Sequence, residues 1–399
     1  MKFSKVSQLF LVSVIGLVVA SLLTACQIVT IDILFVASST GISTFDVDSE
    51  SGAIRTGQPT VPSGGTNPVA MAVSSDYANL YVANEGSSSV VHFSVAGNGA
   101  LSSKDTVSTA NAPVALAVNP ANTYLYVISG TSSATLAAYS LSSGTIGSAA
   151  ATVPLSLSSV SASFAGDTLI PTGVDVLANG GGVFVTAYDQ SAYNPGGSVT
   201  STANPGWVFG FSVGSGGTLI PAAGSPWKAG IKPTAVASDP TNRFVYVTDF
   251  ASNEMIGYTV QSGDALDFMV NGPFKTGNEP SAIAIDPRGL YIYVANSLDS
   301  TVSAYVISLS TGTPSAAVNV TGSSLNATDT QPEAILVDPA LGRFVFTANH
   351  LGNSVSGFKL NATTGTLTTT LSAPYPTGDA PTALASVPHG NHSTESVTP

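Results

Sequence analysis

The chain is poor in three things: cysteine, charge and helical periodicity. It has one cysteine, Cys26, in 399 residues, which leaves no internal disulfide and no cysteine-based metal site. Charged residues are only 9% of the chain, and 11 Lys and Arg against 23 Asp and Glu give a formal charge of −12. That balance argues against nucleic acid or an anionic surface as partner, and its spread along the chain suits solubility. Apolar residues show no useful run at three- and four-residue spacing after residue 25, so the body has to be built from strands. No H-E-x-x-H pair, P-loop, dinucleotide fingerprint or nucleophile elbow set between a strand and a helix is present.

What the chain has is a repeat. A proline leads into a small apolar strand, VAMAV after Pro68, VALAV after Pro113, AVAS after Pro233 and Thr234, AIAI after Pro280 and Ser281, AILV after Pro332 and Glu333, and TALAS after Pro381. A turn such as DPTNR, DPRG or DPALGR follows, then a second strand such as LYVANEG at 80–86, FVYVTD at 244–249 or FVFTANH at 344–350. A third strand with an aromatic or aliphatic centre closes the pattern, for example VVHFSV at 90–95 and MIGYTV at 255–260, and a weaker copy starts at Pro171. The leading prolines lie 45 to 62 residues apart, a period suited to four-stranded propeller blades with variable loops.

The ends supply ring closure. ILFVASS and ISTFDV within 33–47 are a second and third strand with no first, while Pro381 to Ser386 is a first strand with nothing after it. Together they complete one blade. The expectation is an all-β fold, a seven-bladed β-propeller of four-stranded blades in one domain, closed by pairing the N- and C-terminal strands.

The first residues read as an address. Lys2 and Lys5 precede an apolar stretch from Leu9 to Leu23, and Leu23-Thr24-Ala25-Cys26 matches a bacterial lipobox, in which the cysteine is acylated after cleavage before it. The expected layout is a signal peptide over 1–25, lipidated Cys26 with a short tether to 32, the propeller over 33–388 and a polar tail over 389–399. An uncleaved membrane anchor fits less well, because the stretch is short and ends in small residues. Gln27 favours the outer membrane where a cell has one, so the expected location is a lipid-anchored place in a bacterial envelope.

Units such as PSAIAIDPRGLYIYVANSLDSTVSAYVI at 280–307 and GTLTTTLSAPYPTGDAPTALA at 365–385 resemble the seven-bladed lactonase family, and are similar to bacterial 6-phosphogluconolactonase. The YVAN and YVTD strands also resemble the wider YVTN-type surface propellers. The resemblance implies the fold and hydrolysis of a sugar lactone at the channel mouth.

In a propeller, the loops entering the first strands and the second-to-third connections share one face. That face collects Glu85, Asp189, Asp249 and His350 from second-strand ends, Lys232 and Glu279 from entering loops, and Glu333 from the strand position that is Val, Thr or Ser in other blades. Lactone hydrolysis needs a base to activate water and a cation or donor for the oxyanion. His350, Glu333 or Asp249 could serve as base and Lys232 as cation, with Glu85, Asp189 and Glu279 as binding groups. The bland reading is a wet polar rim. The loop from Asp189 to Pro205 is long and carries Tyr193 beside Tyr188, a sugar-contacting edge or an idle insertion. No cofactor is required, and calcium on Glu85, Asp249 and Glu333 is conceivable from their hard oxygens.

Other residues read as structural. Arg243, Arg288 and Arg343 occupy equivalent first-to-second turns on the opposite face, which leaves no basic clamp for a phosphate at the mouth. His92 lies inside a third strand, and His389 and His392 fall in the tail. Asp175, where other blades have Ala or Leu, is expected to bond the backbone around Gly180–Gly182, or else to contribute to a channel site. Two functions remain: a lactone hydrolase, which needs His350, Glu333 and Lys232 to converge, and an envelope scaffold binding a protein or glycan, which does not.

Overall fold

The computed structural model describes residues 29–131, 133–161, 164, 166–191, 193, 205–390 and 395. The lipid site at Cys26, the signal peptide and most of the 189–205 loop lie outside the described residues. Among the described residues no helix is long and apolar enough to cross a membrane.

Seven antiparallel sheets stand around one axis. Their inner strands are Ala383–Pro388, Pro68–Val73, Pro113–Val118, Leu169–Val176, Pro233–Ser238, Pro280–Ile285 and Pro332–Val337, here blades 1 to 7. Blade 1 is the composite: Ala383–Pro388 pairs with Thr30–Ser38, which pairs with Gly41–Asp48 and then Ile54–Thr56. Its second strand starts at Thr30, three residues before the expected boundary at 33. The tail boundary moves too, because the His389 N–H donates to the Ile31 carbonyl (2.8 Å) and its Nδ1 is buried. His389 therefore belongs to the body, held by the same ladder that closes the ring.

Second strands lie between two blades and are buried on both faces, so they read as continuous apolar runs rather than alternating ones. Leu80 to Ala83 and Phe344 to Phe346 are 0–1% exposed. The apolar core is accordingly divided into clusters that each join neighbouring blades, such as Ile33 and Phe35 of blade 1 with Val82 and Val91 of blade 2. Burying each such side chain contributes about 1.5–3 kcal/mol. Fourth strands are short, three residues each in blades 4 to 7, and short rim strands leave little edge for another chain to pair with.

Repeated polar bonds fix one blade against the next. The hydroxyls of Tyr81, Tyr246 and Tyr293 are buried at the same place in their blades and donate to the carbonyls of Gly144, Gly312 and Gly365 in the following blade, at 2.7, 2.6 and 2.8 Å. On the lower face, Asp239 and Asp286 each cap a first-to-second turn by accepting two backbone N–H groups, from Arg243 and Phe244 and from Leu290 and Tyr291. Arg243 and Arg288 reach across to the Leu309 and Gly342 carbonyls (2.6 and 3.2 Å). Both are inter-blade straps.

Two buried groups answer questions the sequence raised. His92 holds Asp105 through Nδ1 and Asn79 through Nε2, both at 2.8 Å, and stacks on Tyr81. Asp175 corrects the expectation of a bond to its own hairpin: Oδ2 accepts the Ser238 N–H and hydroxyl of the next blade, at 2.6 and 2.7 Å. A carboxylate near the crowded axis stays there by bonding sideways around the ring.

Candidate active site

On the upper face the inner-strand entrances surround a cavity of about 410 Å³, lined in part by Lys232, Thr234, Phe250, Glu279, Ser281 and Glu333. A slightly larger groove of about 440 Å³ lies on the rim against Glu254, Phe268 and Met269, but it is mostly apolar, and Glu254 is paired there with Lys275 (3.5 Å).

The loops into the inner strands are shaped to aim side chains at the mouth. Glu279 and Gln331, each just before the leading proline, have φ of +55° and +58°, a left-handed conformation that non-glycine residues adopt sparingly. Glu279 is locked there: its N–H donates to Asn253 Oδ1 (2.8 Å) and its carbonyl accepts the Ser297 N–H and hydroxyl (2.8 and 2.9 Å).

Lys232 is set by Asp249. The fully buried Asp249 carboxylate accepts the N–H groups of Ile231 and Lys232, each at 2.8 Å. Gly230 beside it is obligatory, since φ is +75° and a Cβ would lie 2.0 Å from Asp249 Oδ2. The structure thus gives Asp249 a positioning place under the loop, with both oxygens engaged by backbone N–H groups. The Lys232 ammonium lies 3.9 Å from the ring centre of Phe250, 4.6 Å from Tyr193 and 5.9 Å from Tyr188. Burial pushes its pKa below the usual lysine value, against the pull of Glu279 and Glu333.

Glu333 owes its freedom to a broken pattern. At the equivalent place Thr234, Ser281 and Thr382 donate to the leading-proline carbonyl of the next blade, at 2.7, 2.6 and 2.6 Å. A carboxylate cannot donate, so Glu333 turns into the cavity, where Gln331 Nε2 donates to its Oε1 (2.8 Å). Burial raises its pKa above the ordinary glutamate value, and Glu279 adds to this. The Gln331 bond, His350 and Lys232 work the other way.

His350 stands near Glu333 but off the lining. Its N–H is tied to the Gln331 carbonyl (2.8 Å), and its buried Nδ1 has no partner among the described residues. Tyr188 and Tyr193 meet edge to face at 5.8 Å, and Tyr193 meets Phe250 at 6.4 Å. The tyrosines therefore wall Lys232. Glu85 and Asp189 do not join them: Glu85 accepts from Asn67 (2.6 Å), and Asp189 accepts the Ser191 N–H and hydroxyl (both 2.8 Å). Glu85, Asp249 and Glu333 are thus held apart, and among the described residues no group of three or more His, Asp or Glu side chains is placed to hold a metal ion.

The sequence reading missed Phe250. Phe250 was legible as an aromatic directly after a second-strand end, where other blades carry Glu85, Ser297 and His350. Gly210-Phe211-Ser212-Val213-Gly214 also matches G-x-S-x-G, but it lies within the third strand of blade 4, and the Ser212 hydroxyl donates to Asp264 (2.6 Å).

Comparison with known proteins agrees with this architecture. A family model described as lactonase, 7-bladed beta-propeller, matches residues 38–164 and 226–392. No curated protein matches the sequence. The periplasmic gluconolactonase of Pseudomonas aeruginosa superposes with a TM-score of 0.73 at 18% identity, over 90% of this chain and 99% of that one. A Bacteroides uniformis structure provisionally named a 6-phosphogluconolactonase gives 0.71 at 18% identity, over 90% and 100%. Those likenesses support the fold, and the family model, spanning well over half the sequence, places the chain in the family of seven-bladed β-propeller lactonases.

Proposed function

We propose that the chain hydrolyses a sugar lactone in the upper cavity, with Glu333 as general base and Lys232 as the cation for the developing oxyanion. The observation that carries this is the convergence of Lys232, Glu279 and Glu333 on one cavity, with the Glu333 carboxyl held above its ordinary pKa. A polar rim with no task would scatter such groups.

Ionised Glu333 takes a proton from a water, whose oxygen bonds to the lactone carbonyl carbon. The carbonyl oxygen becomes an oxyanion facing Lys232. On collapse, the bond from that carbon to the ring oxygen breaks, and the ring oxygen takes the proton back from Glu333 to leave as a hydroxyl. His350 and Gln331 hold Glu333 toward its charged form.

The test is hydrolysis of a panel of sugar and aliphatic lactones as a function of pH. Glu333 has to be ionised, so kcat/KM is expected to fall on acidification at a pH above the ordinary glutamate value of 4.5. Lys232 acts as an ammonium, so activity is also expected to fall on the alkaline side before the ordinary lysine value of 10.5. Lys232→Met should remove the alkaline limb and lower kcat by about 10²–10³. A pH profile unchanged by that substitution would remove Lys232 from the mechanism.

The same proposal puts the protein in a bacterial envelope, held by lipid on Cys26. The strand Thr30–Ser38, the first described element after the proposed lipid site, starts on the lower face, opposite the cavity. Cys26→Ser should move the chain from the membrane to the soluble fraction, and retention of the variant in membranes would count against the anchor.

A further inference from the structure

We propose that the sugar accepted at the mouth is uncharged rather than phosphorylated, and that Glu279 is the residue that turns phosphate away. This rests on the lactonase reading above.

The cavity lining presents two carboxylates, Glu279 and Glu333, against one ammonium. That ammonium is held over aromatic faces, nearest Phe250 at 3.9 Å and Tyr193 at 4.6 Å. Among the described residues it forms no ion pair within 4.0 Å. Phosphate is best gripped by forked guanidinium groups or clustered lysines. The recurring arginines are on the opposite face, where Arg243 and Arg288 are engaged with the Leu309 and Gly342 carbonyls.

Glu279 is the carboxylate that decides the matter. Its backbone is pinned on both sides by Asn253 and Ser297, which fixes the point on the mouth from which its side chain leaves. Its charge is felt by Lys232, Tyr193 and Glu333 alike, which places it among them. A phosphate dianion bound there would face like charge in a partly desolvated space. A neutral sugar meets the reverse situation. Its hydroxyls donate to the two carboxylates, and its C–H face lies against Tyr193 and Phe250.

The experiment compares glucono-1,5-lactone with its 6-phosphate as substrates of the purified chain. It also compares binding of the non-hydrolysable 1,5-anhydroglucitol with that of its 6-phosphate by calorimetry. Expected is a preference for the unphosphorylated lactone of roughly a hundredfold in kcat/KM, reduced about tenfold or more in Glu279→Gln through a lower KM for the phosphorylated substrate. Glu279→Lys should narrow it further. Equal or better use of the phosphorylated lactone overturns the proposal while leaving the lactonase reading intact. If neither lactone is turned over but the neutral polyol binds and its phosphate does not, the charge filter stands and the hydrolase reading falls. Binding of neither polyol, or a preference untouched by both Glu279 variants, removes Glu279 from the role.

Discussion

Glu333→Gln is expected to lower kcat/KM for any hydrolysed lactone by roughly 10²–10⁴, and at pH 7 to leave the fold as stable as before or more so. The two effects share one cause. Burial raises the carboxyl pKa in the folded chain, so the unfolded chain releases this proton more readily. For such a group the contribution to stability is complete below the unfolded pKa and is lost as pH rises through the folded one. At neutral pH the ionised carboxylate is therefore held at a cost that glutamine, of the same shape, does not incur. The gain in stability of the variant over the parent should accordingly grow from pH 4 toward 7 in urea unfolding. A side chain with only a structural task would lose stability when changed. Full activity in the variant, or lost activity together with lost stability, would dismiss Glu333 as the base.

Asp32→Asn is expected to flatten the pH dependence of stability of the whole ring. Asp32 of blade 1 and Asp338 of blade 7 are each 1% exposed. Asp338 accepts the N–H groups of Ala340, Leu341 and Arg343, whereas Asp32 has no donor on either oxygen. Burial, then the charge of Asp338, push the Asp32 pKa up to about 9, with Arg343 pulling weakly the other way. Asp32 is thus protonated at neutral pH. The sign follows as for Glu333: the stabilisation is complete below about pH 4, the unfolded value, and is lost progressively up to about pH 9, at up to roughly 1.4 kcal/mol per pH unit. Asparagine cannot ionise. Parallel stability curves for parent and variant between pH 5 and 9 would show that the fold does not hold Asp32 protonated.

The fold was legible because propeller blades repeat. Pro68, Pro113, Pro233, Pro280, Pro332 and Pro381 mark the inner strands, and apolar second strands such as LYVAN and FVFTAN follow from burial on both faces. The fourth strands of blades 4 to 7 were not legible, since pieces such as Leu219–Pro221 or Pro314–Ala316 are too short to show a period. At the site, sequence position brought Lys232, Glu279 and Glu333 to the right face. It could not tell that Asp249 spends both oxygens on its own loop or that Glu85 is taken by Asn67, because those are decided by contacts a few ångströms long. Asp175 illustrates the same limit, for its partner Ser238 is 63 residues away.

Ring closure by the two ends of the chain also fixes the order in which the molecule can be finished. The Thr382 hydroxyl and the Ala37 carbonyl that it approaches at the closing seam are 345 residues apart. During synthesis the outer three strands of blade 1 emerge first and wait, with an unpaired inner edge, until almost everything else has been made. Blades 2 to 7 can be completed in turn, but blade 1 only once the strand Ala383–Pro388 has emerged. A chain cut before residue 383 keeps an open, strand-hungry edge.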